Sequence, residues 1–433
     1  MPTKEKPQKK KTGAAEKKTS MRVAGTVSVL PPDEAAWKFL WNAQEATAEL
    51  HDYHVIETPF FESANLVVGS MRGGDEDAVC VLKPAGGGSD IALRVSQEIG
   101  IVRSYSEERL GRFAQPLKVY SRGTIFSCEK QGNKSALRET YELGFNIVGD
   151  NDPIYDGQVI TTAISYVKAL KLKTASLRVN TLGCKACRAV YREKLRGYYG
   201  GKKSKICDLC TVSFDRGMFE GLACKSPKCA PVHEEAPLIL DNLCHNCNNH
   251  FKAVLELLED NGIAYEPQPR LSRALPYYTR TVFELRGAGN RLIAQGGRYD
   301  YLSEMLFSRT VPGVGVSFNA KNIIELLAEE KIQIREKRRP FVFFVAVGDQ
   351  AKKASLRFMS EIRSHGFPVV ESIGKKALQA QLRTAERCGA AVALIFGQRE
   401  VFEGTIIIRD LRSGAQETII LTKLIDEVRK RLK

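Results

Sequence analysis

The chain has 433 residues, which is too long for one hydrophobic core, since domains usually hold roughly 100–200 residues. Apolar residues make up 43% and charged residues 27%, which excludes a disordered or collagen-like chain, and no apolar run approaches the roughly 18 residues that cross a bilayer. The 65 Lys and Arg against 50 Asp and Glu give a net charge of +15, which favours a polyanionic partner such as nucleic acid, although a simple solubility surplus would look the same.

Residues 1–21 form a basic segment without apolar periodicity, so we predict a disordered tail. Such a tail can add phosphate contacts to an RNA partner, and a solvated extension without a specific role would have the same composition. No apolar stretch typical of a secretory signal is present at the N-terminus, so we expect a cytoplasmic protein whose thiols stay reduced. The lysines of the segment are Lys4, Lys6, Lys9, Lys10, Lys11, Lys17 and Lys18.

The first folded segment begins with a predicted helix. Asp33 follows two prolines, which is a helix start signal, and apolar residues then recur at helical spacing. Val55–Phe61 predicts a strand, and Pro59 restricts it to an edge or interface because proline cannot donate to a sheet. We expect one face of the helix to enter the core through Trp37, Leu40, Trp41 and Ala48.

Two β-hairpins follow along the chain. Lys118–Phe126 and Leu143–Val148 predict strands on either side of a polar, Lys- and Gly-rich hairpin at Glu129–Arg138. Farther along, Thr281–Leu285 and Leu292–Gln295 predict the second hairpin.

Eight of the 11 cysteines are clustered in four closely spaced pairs. A CxxC pair can place two thiolates on one tetrahedral ion, so the cluster predicts two closed four-cysteine zinc sites with a structural role. Which pairs share an ion stays open, as do substitution by His245 or His250 and a metal-free set of reduced thiols. A redox pair is disfavoured, because none of the pairs is expected at a thioredoxin-like junction of strand and helix. The predicted ligands are Cys184, Cys187, Cys207, Cys210, Cys224, Cys229, Cys244 and Cys247. The other three cysteines are predicted to be ordinary buried thiols: Cys80, Cys128 and Cys388.

A charged stretch, Arg335–Pro340, predicts a linker before the last part of the chain. Beyond it, buried apolar strands alternate with helices from Phe341–Val347 to Thr418–Leu421. This alternation indicates a small α/β domain of a usual size over residues 340–433.

Two stretches carry a family resemblance. Leu271–Glu284 (LSRALPYYTRTVFE) and Gln295–Asp300 (QGGRYD) resemble the two histidine signatures of the histidyl-tRNA synthetases, which are class II aminoacyl-tRNA synthetases. The cysteine pairs lie where that family inserts a variable domain. Four further segments are similar in order to motif 1, motif 2, motif 3 and the family's anticodon-binding domain: residues 25–61, 126–144, 313–322 and 397–418.

The resemblance implies that ATP and L-histidine form histidyl-adenylate, and that the histidyl group then passes to tRNA. It also implies Mg²⁺ with the ATP, and a homodimer. Such chemistry needs fixed cations around the nucleotide, and Arg273 takes the position of the family's catalytic contact to the α-phosphate. Implied ATP contacts come from Glu129 and Arg138, for which a solvated hairpin is the alternative. Implied histidine contacts come from Glu142, Asn146, Tyr277, Tyr278, Gly296 and Gly297, with the two glycines in a turn beneath the substrate. For Arg273 and the two tyrosines, core packing alone is the alternative.

Two positions depart from the family at the nucleotide. Ser127 stands where the family's motif 2 has an arginine that grips the α-phosphate, and Asn322 stands where motif 3 has an arginine that holds the nucleotide. Lys321 carries a charge next to Asn322, but we expect its side chain to point elsewhere.

The amino-acid pocket departs from the family as well. Ser96 and Asn146 replace two glutamates, and Glu142 replaces a glutamine that holds the amino acid. Glu98 compensates for the loss at Ser96 if the register shifts.

These patterns leave two functions open. One is a histidine–tRNA ligase with an altered nucleotide site, and the other is a catalytically inactive synthetase paralogue that acts as an RNA-binding or regulatory module. RNA is the expected partner in both, and no membrane is expected. The predicted fold is an α+β class II synthetase core, an antiparallel sheet flanked by helices. The core spans residues 22–173 and 251–334, a cysteine-rich insertion spans residues 174–250, and an anticodon-binding α/β domain spans residues 340–433.

Overall fold

The computed structural model describes residues 21–72, 74–131, 134–215, 220–224, 226–273, 275–334, 341–374 and 377–432. The basic tail over residues 1–20 and the linker at 335–340, both predicted from sequence, lie outside these residues. The chain divides into two units, Met1–Ile334 and Arg335–Lys433. In the part of the chain that the structure describes, no helix is both long and apolar enough to cross a membrane.

The first unit holds eleven described strands and ten described α-helices. The strands are β1 (His54–Val55), β2 (Phe61–Ser63), β3 (Val81–Leu82), β4 (Ile91–Leu93), β5 (Leu117–Gln131), β6 (Lys134–Val148), β7 (Ser176–Thr181), β8 (Glu266–Pro267), β9 (Thr279–Gly287), β10 (Arg291–Arg298) and β11 (Gly313–Asn319). The helices are α1 (Glu34–Leu50), α2 (Ala64–Ser70), α3 (Gln97–Glu107), α4 (Pro153–Ala169), α5 (Lys185–Gly200), α6 (Asp208–Asp215), α7 (Ala230–Glu234), α8 (His245–Asp260), α9 (Tyr301–Phe307) and α10 (Ala320–Glu329).

An eight-stranded sheet in the order β1-β5-β6-β11-β10-β9-β7-β8 forms the centre of this unit. All inner pairs are antiparallel, and only the outermost strands, β1 on β5 and β8 on β7, pair in parallel. A smaller antiparallel sheet, β2-β4-β3, lies beside it. The predicted antiparallel sheet flanked by helices is therefore present, with parallel pairs at its two edges.

Alternation along β6 separates a packing face from a polar face. Leu143, Phe145 and Ile147 are fully buried in the main hydrophobic core, which also takes residues from α1, α4, α8 and α10. Because successive side chains of a strand point to opposite faces, Glu142 and Asn146 lie on the other side of the sheet. That side faces α2, α3 and α9, whose apolar residues form a separate core with Tyr277 and Tyr278.

Three local predictions in this unit need correction. The single strand predicted at Val55–Phe61 is two strands in different sheets, because Pro59 lies between β1 and β2 and cannot donate to a ladder. The strands predicted at Lys118–Phe126 and Leu143–Val148 are longer than expected and continue through the polar hairpin at Glu129–Arg138, since β5 and β6 pair from Leu117–Val148 to Gln131–Lys134. Gly296 and Gly297 form no turn but lie within β10.

The cysteine-rich segment has its own hydrophobic core. Tyr191, Leu195 and Tyr199 of α5 pack against apolar residues of α6 and α7. β7 falls within the predicted insertion of residues 174–250, but it pairs with β9 in the main sheet. The insertion therefore leaves the sheet after Thr181 and returns to the main core through α8, whose Val254 and Leu258 are buried there.

The second unit is a five-stranded sheet covered by helices. Its elements are β12 (Val342–Ala346), α11 (Asp349–Ser364), β13 (Val369–Glu371), α12 (Leu378–Cys388), β14 (Val392–Phe396), α13 (Gln398–Glu403), β15 (Thr405–Asp410), β16 (Gln416–Ile420) and α14 (Leu424–Leu432). The strand order is β13-β12-β14-β15-β16, with the first three strands parallel and the last two antiparallel. The predicted alternation of strands and helices is present, and α13 and α14 are two short helices beyond the prediction.

Candidate active site and metal centres

A buried hydrogen-bonded series lies on the polar face of the main sheet. Arg273 donates from Nη2 to the Tyr278 hydroxyl at 3.0 Å, and that hydroxyl donates to Glu98 Oε1 at 2.9 Å. The guanidinium also lies over the Tyr278 ring, 4.4 Å from its centroid. Arg273 Nε is buried and has no partner in the described part of the chain, so one donor remains for a ligand.

Glu142 lies beside this hydrogen-bonded series, and its charged neighbours are Glu98, Arg273 and Arg94. In the sheet it is opposite Gly123 of β5, and a Cβ at Gly123 would come within 2.2 Å of Arg94 Nη2. Glycine therefore lets the Arg94 guanidinium approach the strand, where it donates to the carbonyls of Thr124 at 2.8 Å and Thr58 at 2.7 Å.

Burial is the main cause that raises the pKa of Glu142, to about 8. The neighbouring Glu98 carboxylate raises it further, while Arg273 and a hydrogen bond from Ser317 act in the opposite direction. Burial and the neighbouring Glu98 carboxylate thus make ionisation of Glu142 unfavourable, even though Arg273 and Arg94 lie close by. An arriving cation would relieve this repulsion.

Two neutral hydrogen bonds complete the pocket. Ser96 Oγ and the Tyr277 hydroxyl are 2.9 Å apart, and the Tyr299 hydroxyl donates to Asn146 Oδ1 at 3.0 Å. Sequence reasoning did not single out Tyr299 as a site residue, although it lies within the QGGRYD stretch. Glu98, considered only as a substitute for Ser96, is placed in the pocket without any displacement of Ser96.

The two glycines of β10 allow close packing beneath the pocket. A Cβ at Gly296 would lie 2.4 Å from the Phe283 ring and 2.5 Å from the Gly315 carbonyl oxygen. A Cβ at Gly297 would lie 2.7 Å from the carbonyl oxygen of Thr281. Larger residues would therefore push neighbouring strands apart, which is a packing reason for both glycines.

The altered nucleotide positions lie on the long hairpin and at the start of α10. Ser127 is opposite Arg138 in the β5–β6 register, so their side chains share one face. Glu129 is opposite Ala136, placed by its backbone alone.

The Asn322 amide donates to the Leu292 carbonyl of β10 at 2.7 Å. Lys321 is 71% exposed and lines a cleft with Trp37 and Tyr141. Tyr141 precedes Glu142 in β6 and faces the α1 side, so Lys321 points away from the pocket, as predicted, and supplies no charge to it.

Cys80 and Cys128 are joined by a disulfide, so our prediction of ordinary thiols is wrong for both. Their Cα atoms lie 5.6 Å apart, which brings the chain just before β3 against β5 at the residue after Ser127. Pattern reasoning could not find this pair because 48 positions separate the two residues in sequence. The third scattered cysteine, Cys388, is a half-buried free thiol.

The first cysteine site (Cys184, Cys187, Cys244 and Cys247) joins the beginnings of two helices. Cys184 is the N-cap of α5 and Cys244 the N-cap of α8, and their sulfur atoms are 3.9 Å apart. Cys184 Sγ is 3.6 Å from Cys187 Sγ. Burial opposes ionisation of Cys184, but hydrogen bonds from Cys187 outweigh it and lower the pKa to about 7.

The second cysteine site (Cys207, Cys210, Cys224 and Cys229) lies inside the insertion. Cys207 Sγ and Cys224 Sγ are 3.9 Å apart, and the Cys207 amide donates to Cys229 Sγ at 3.1 Å. Hydrogen bonds from the backbone and side chain of Cys210 lower the pKa of Cys207 to about 7.

Both sites have the dimensions of a four-thiolate zinc site. Their sulfur atoms all lie within 4.8 Å of one another, and Zn–S bonds of about 2.3 Å place tetrahedral sulfurs about 3.8 Å apart. One premise against redox chemistry was wrong, because the Cys184–Cys187 pair does lie between strand β7 and helix α5. Two further thiols complete its coordination set, so the arrangement still favours metal.

The mixed sheet, its buried Arg-Tyr-Glu series and the separate α/β unit define a class II aminoacyl-tRNA synthetase architecture. The family model "Histidyl-tRNA synthetase" matches residues 25–187, and the model "Anticodon binding domain" matches residues 341–431.

Two curated relatives, both histidine–tRNA ligases, match almost the whole chain. The one from Halothermothrix orenii is 31% identical over 415 residues, covering 94% of this chain and 98% of the relative. The one from Dehalococcoides mccartyi is 32% identical over 413 residues, covering 94% and 99%. Apo histidyl-tRNA synthetase of S. aureus superposes with a TM-score of 0.76 at 26% identity, over 94% of this chain and 99% of that one. The chain belongs to the histidyl-tRNA synthetase family, which confirms the resemblance.

Proposed function

We propose that the protein is a histidine–tRNA ligase with an altered nucleotide site. It joins ATP and L-histidine into histidyl-adenylate and transfers the histidyl group to tRNA. The observation that carries this proposal is the buried Arg273–Tyr278–Glu98 series beside Glu142. A guanidinium with a free donor and two carboxyl groups fit a ligand that carries an ammonium group and reacts at an anionic phosphate.

The two carboxyl groups receive the α-ammonium group of histidine. Glu98 and Glu142 together supply the negative charge, and the ammonium favours the ionised form of Glu142. The neutral pairs Ser96–Tyr277 and Tyr299–Asn146 leave hydroxyl and amide groups for an uncharged imidazole.

Arg273 acts at the α-phosphate, where the carboxylate of histidine attacks and pyrophosphate leaves. Its charge stabilises the pentavalent phosphate, and Arg138 and Glu129 contribute to ATP binding from the β5–β6 hairpin. Mg²⁺ would neutralise phosphate charge. In the described residues, only the two cysteine groups bring three or more metal-binding side chains together, so the phosphates of ATP would be the chief ligands of Mg²⁺.

An inactive paralogue that binds RNA is the second candidate. It is favoured by Ser127 and Asn322, because each removes a cation that the family places at the nucleotide. Losing one such contact lowers a rate by about 10²–10³. With both lost, we expect adenylate formation to be slower by about 10⁴ or more, although such effects are not additive.

Histidine-dependent exchange of pyrophosphate into ATP separates the two candidates. We expect exchange above background that Arg273→Gln abolishes and Arg122→Gln leaves intact. Arg122 is the matched control because it lies on β5 but packs over Trp41 on the opposite face of the sheet. Binding of tRNA without any exchange would establish the inactive paralogue.

The nucleotide site can be repaired by restoring the missing charges. Ser127→Arg together with Asn322→Arg should tighten ATP binding by about tenfold or more, since a charge-assisted hydrogen bond contributes about 1.5–3 kcal/mol. Calorimetric titration with ATP measures this, and an unchanged affinity would show that the pocket has been lost for other reasons.

We also infer two structural zinc ions per chain, one in each cysteine site. The N–H···S hydrogen bonds and the lowered pKa values of Cys184 and Cys207 support thiolate ligands. Metal analysis of gently purified protein should find about two zinc ions, and less than one per chain would remove this assignment.

We also propose a homodimer and a cytoplasmic location. Val55, Phe60 and Phe61 near Pro59 are 66%, 46% and 54% exposed, which supports an apolar interface there. Sedimentation velocity should show a dimer that Phe61→Glu weakens, and a monomeric wild type would contradict this.

Reduced metal-binding thiols support a reducing compartment, whereas the Cys80–Cys128 bond argues against it.

A further inference from the structure

The first cysteine site lies directly against the strand that leads out of the amino-acid pocket. Gly183, the residue before Cys184, accepts hydrogen bonds at its carbonyl from the Arg280 amide at 3.0 Å and the Thr279 hydroxyl at 2.9 Å. The Leu182 amide in turn donates to the Arg280 carbonyl at 2.7 Å. The chain entering the metal site is thus fixed to the beginning of β9.

Arg188 makes a second connection, one helical turn after Cys184. Its amide donates to the Cys184 carbonyl at 2.9 Å, so the first turn of α5 sets its position. Its guanidinium donates from Nη1 to the carbonyls of Tyr278 at 3.1 Å and Pro276 at 3.4 Å. It also lies over the ring of Tyr301, 5.1 Å from the centroid.

Tyr301 closes the connection from the other side. Its hydroxyl accepts a hydrogen bond from the Lys185 amide at 2.9 Å, and the Lys185 ammonium reaches Glu304 at 2.7 Å. The first turn of α5, which carries Cys187, is therefore held against α9 while Arg188 reaches the loop before β9.

We propose that Arg188 is a positioning residue for the amino-acid pocket, and that the metal of the first cysteine site sets its position. The series runs from Cys184 and Cys187 to Arg188, from Arg188 to the Tyr278 carbonyl, and from the Tyr278 hydroxyl to Glu98. This inference rests on the proposed histidine site, but its structural part can be measured without histidine.

The second cysteine site has a different relation to the pocket. His233 beside Cys210 accepts a hydrogen bond at its carbonyl from Arg270 at 2.6 Å. Arg270 lies three residues before Arg273 and outside the segment that leads into β9 with Tyr277 and Tyr278. Metal in the second site therefore supports the insertion and leaves the loop carrying Tyr277 and Tyr278 unchanged.

The test uses the full zinc-loaded chain and two readouts. Hydrogen–deuterium exchange reports on the backbone amides of Leu275 and of residues 277–280, since Pro276 has no amide hydrogen, and calorimetry reports on the affinities for histidine and ATP. Arg188→Met should speed exchange there about tenfold and weaken histidine binding about tenfold, the effect of losing about 1.4 kcal/mol of hydrogen bonding. ATP affinity should change less than twofold, which a general loss of structure would not produce.

Three further variants complete the test. Arg196→Met, an exposed arginine on the same helix, should change neither readout. Cys244→Ser should lose one metal ion and reproduce the Arg188→Met effects, whereas Cys224→Ser should lose one metal ion without them. Arg188→Lys keeps the charge and a donor. It should therefore bind histidine about threefold more weakly than the wild type, compared with about tenfold for Arg188→Met.

Wild-type exchange and histidine affinity in both Arg188→Met and Arg188→Lys would overturn the positioning role. If the wild-type chain binds no histidine, the proposed function fails, and exchange alone decides the inference. Faster exchange in the loop still supports it, and unchanged exchange rejects it.

Discussion

Replacing Glu142 by glutamine tests the electrostatic description of the pocket. Glutamine has nearly the same shape as glutamic acid but cannot ionise. The pKa of Glu142 rises from its usual 4.5 to about 8 in the fold, chiefly through burial and then through Glu98. The folded protein thus holds a proton between about pH 4.5 and pH 8 that the unfolded chain releases.

The sign and size of the effect follow from this difference. The pKa of Glu142 is higher in the folded protein than in the unfolded chain. Below pH 4.5 the carboxyl group is protonated in both states and does not destabilise the fold. As the pH rises towards 8, the free energy of unfolding falls, because only the unfolded chain gives up the proton easily. One pKa unit corresponds to about 1.4 kcal/mol, so ionised Glu142 costs the fold about 5 kcal/mol above pH 8. Between pH 5 and pH 9 the wild type should lose about 4 kcal/mol relative to Glu142→Gln.

Urea unfolding followed by tryptophan fluorescence measures this difference. The chain has two tryptophans, Trp37 and Trp41, and both lie in α1, so the signal reports on the first unit alone. Glu49→Gln, an exposed change on the same helix, is the control and should keep the wild-type pH profile. Parallel pH profiles for the wild type and Glu142→Gln would refute the assignment of a buried, protonated Glu142.

Two further changes probe the stability of the first unit by the same assay. Cys80→Ser should lower its free energy of unfolding by up to about 4 kcal/mol, because the bond to Cys128 closes a loop of 48 residues. Cys388→Ser is the control and should have little effect, since Cys388 is a free thiol. Equal free energies of unfolding for the two variants would argue against the disulfide. Asp156→Asn should cost about 3–5 kcal/mol because it leaves the fully buried Arg298 without its main partner, and a loss below 1 kcal/mol would contradict this. Burial opposes ionisation of Asp156, but Arg298 outweighs it and lowers the pKa to about 2, so the wild-type advantage should disappear as the pH falls from 3.8 to 2.

The sequence predicted the elements that local chemistry determines. Asp33 after two prolines correctly indicated the start of α1, and alternating strands and helices correctly indicated the second unit. The spacing of the four cysteine pairs predicted two metal sites but not which pairs share a site. The first site forms because α8 returns to the main core and brings Cys244 next to Cys184, and the spacing of cysteines in the sequence does not encode this tertiary contact.

In the amino-acid pocket, too, contacts between residues far apart in the sequence could not be predicted from the sequence. Resemblance identified Arg273, Tyr277 and Tyr278, but the hydrogen bond from Tyr278 to Glu98 joins residues 180 positions apart. Likewise, Arg188 showed no signal in the sequence, because an arginine in an amphipathic helix is usually solvated. Only the docking of α5 on the loop before β9 gives it two carbonyl partners.

Proton release on histidine binding links the charge of the pocket to its proposed ligand. At pH 7 a group with a pKa of about 8 is about 90% protonated, so Glu142 is mostly neutral before binding. An ammonium group about 4 Å away contributes about 4 kcal/mol at an effective dielectric constant of about 20, which lowers a carboxyl pKa by about 3 units. The pKa then falls to about 5, and histidine binding should release about 0.9 proton.

Calorimetry in buffers with different ionisation enthalpies counts this proton, and Glu142→Gln should abolish its release while still binding the amino acid. Histidine that binds without releasing a proton would show that the ammonium group lies away from Glu142.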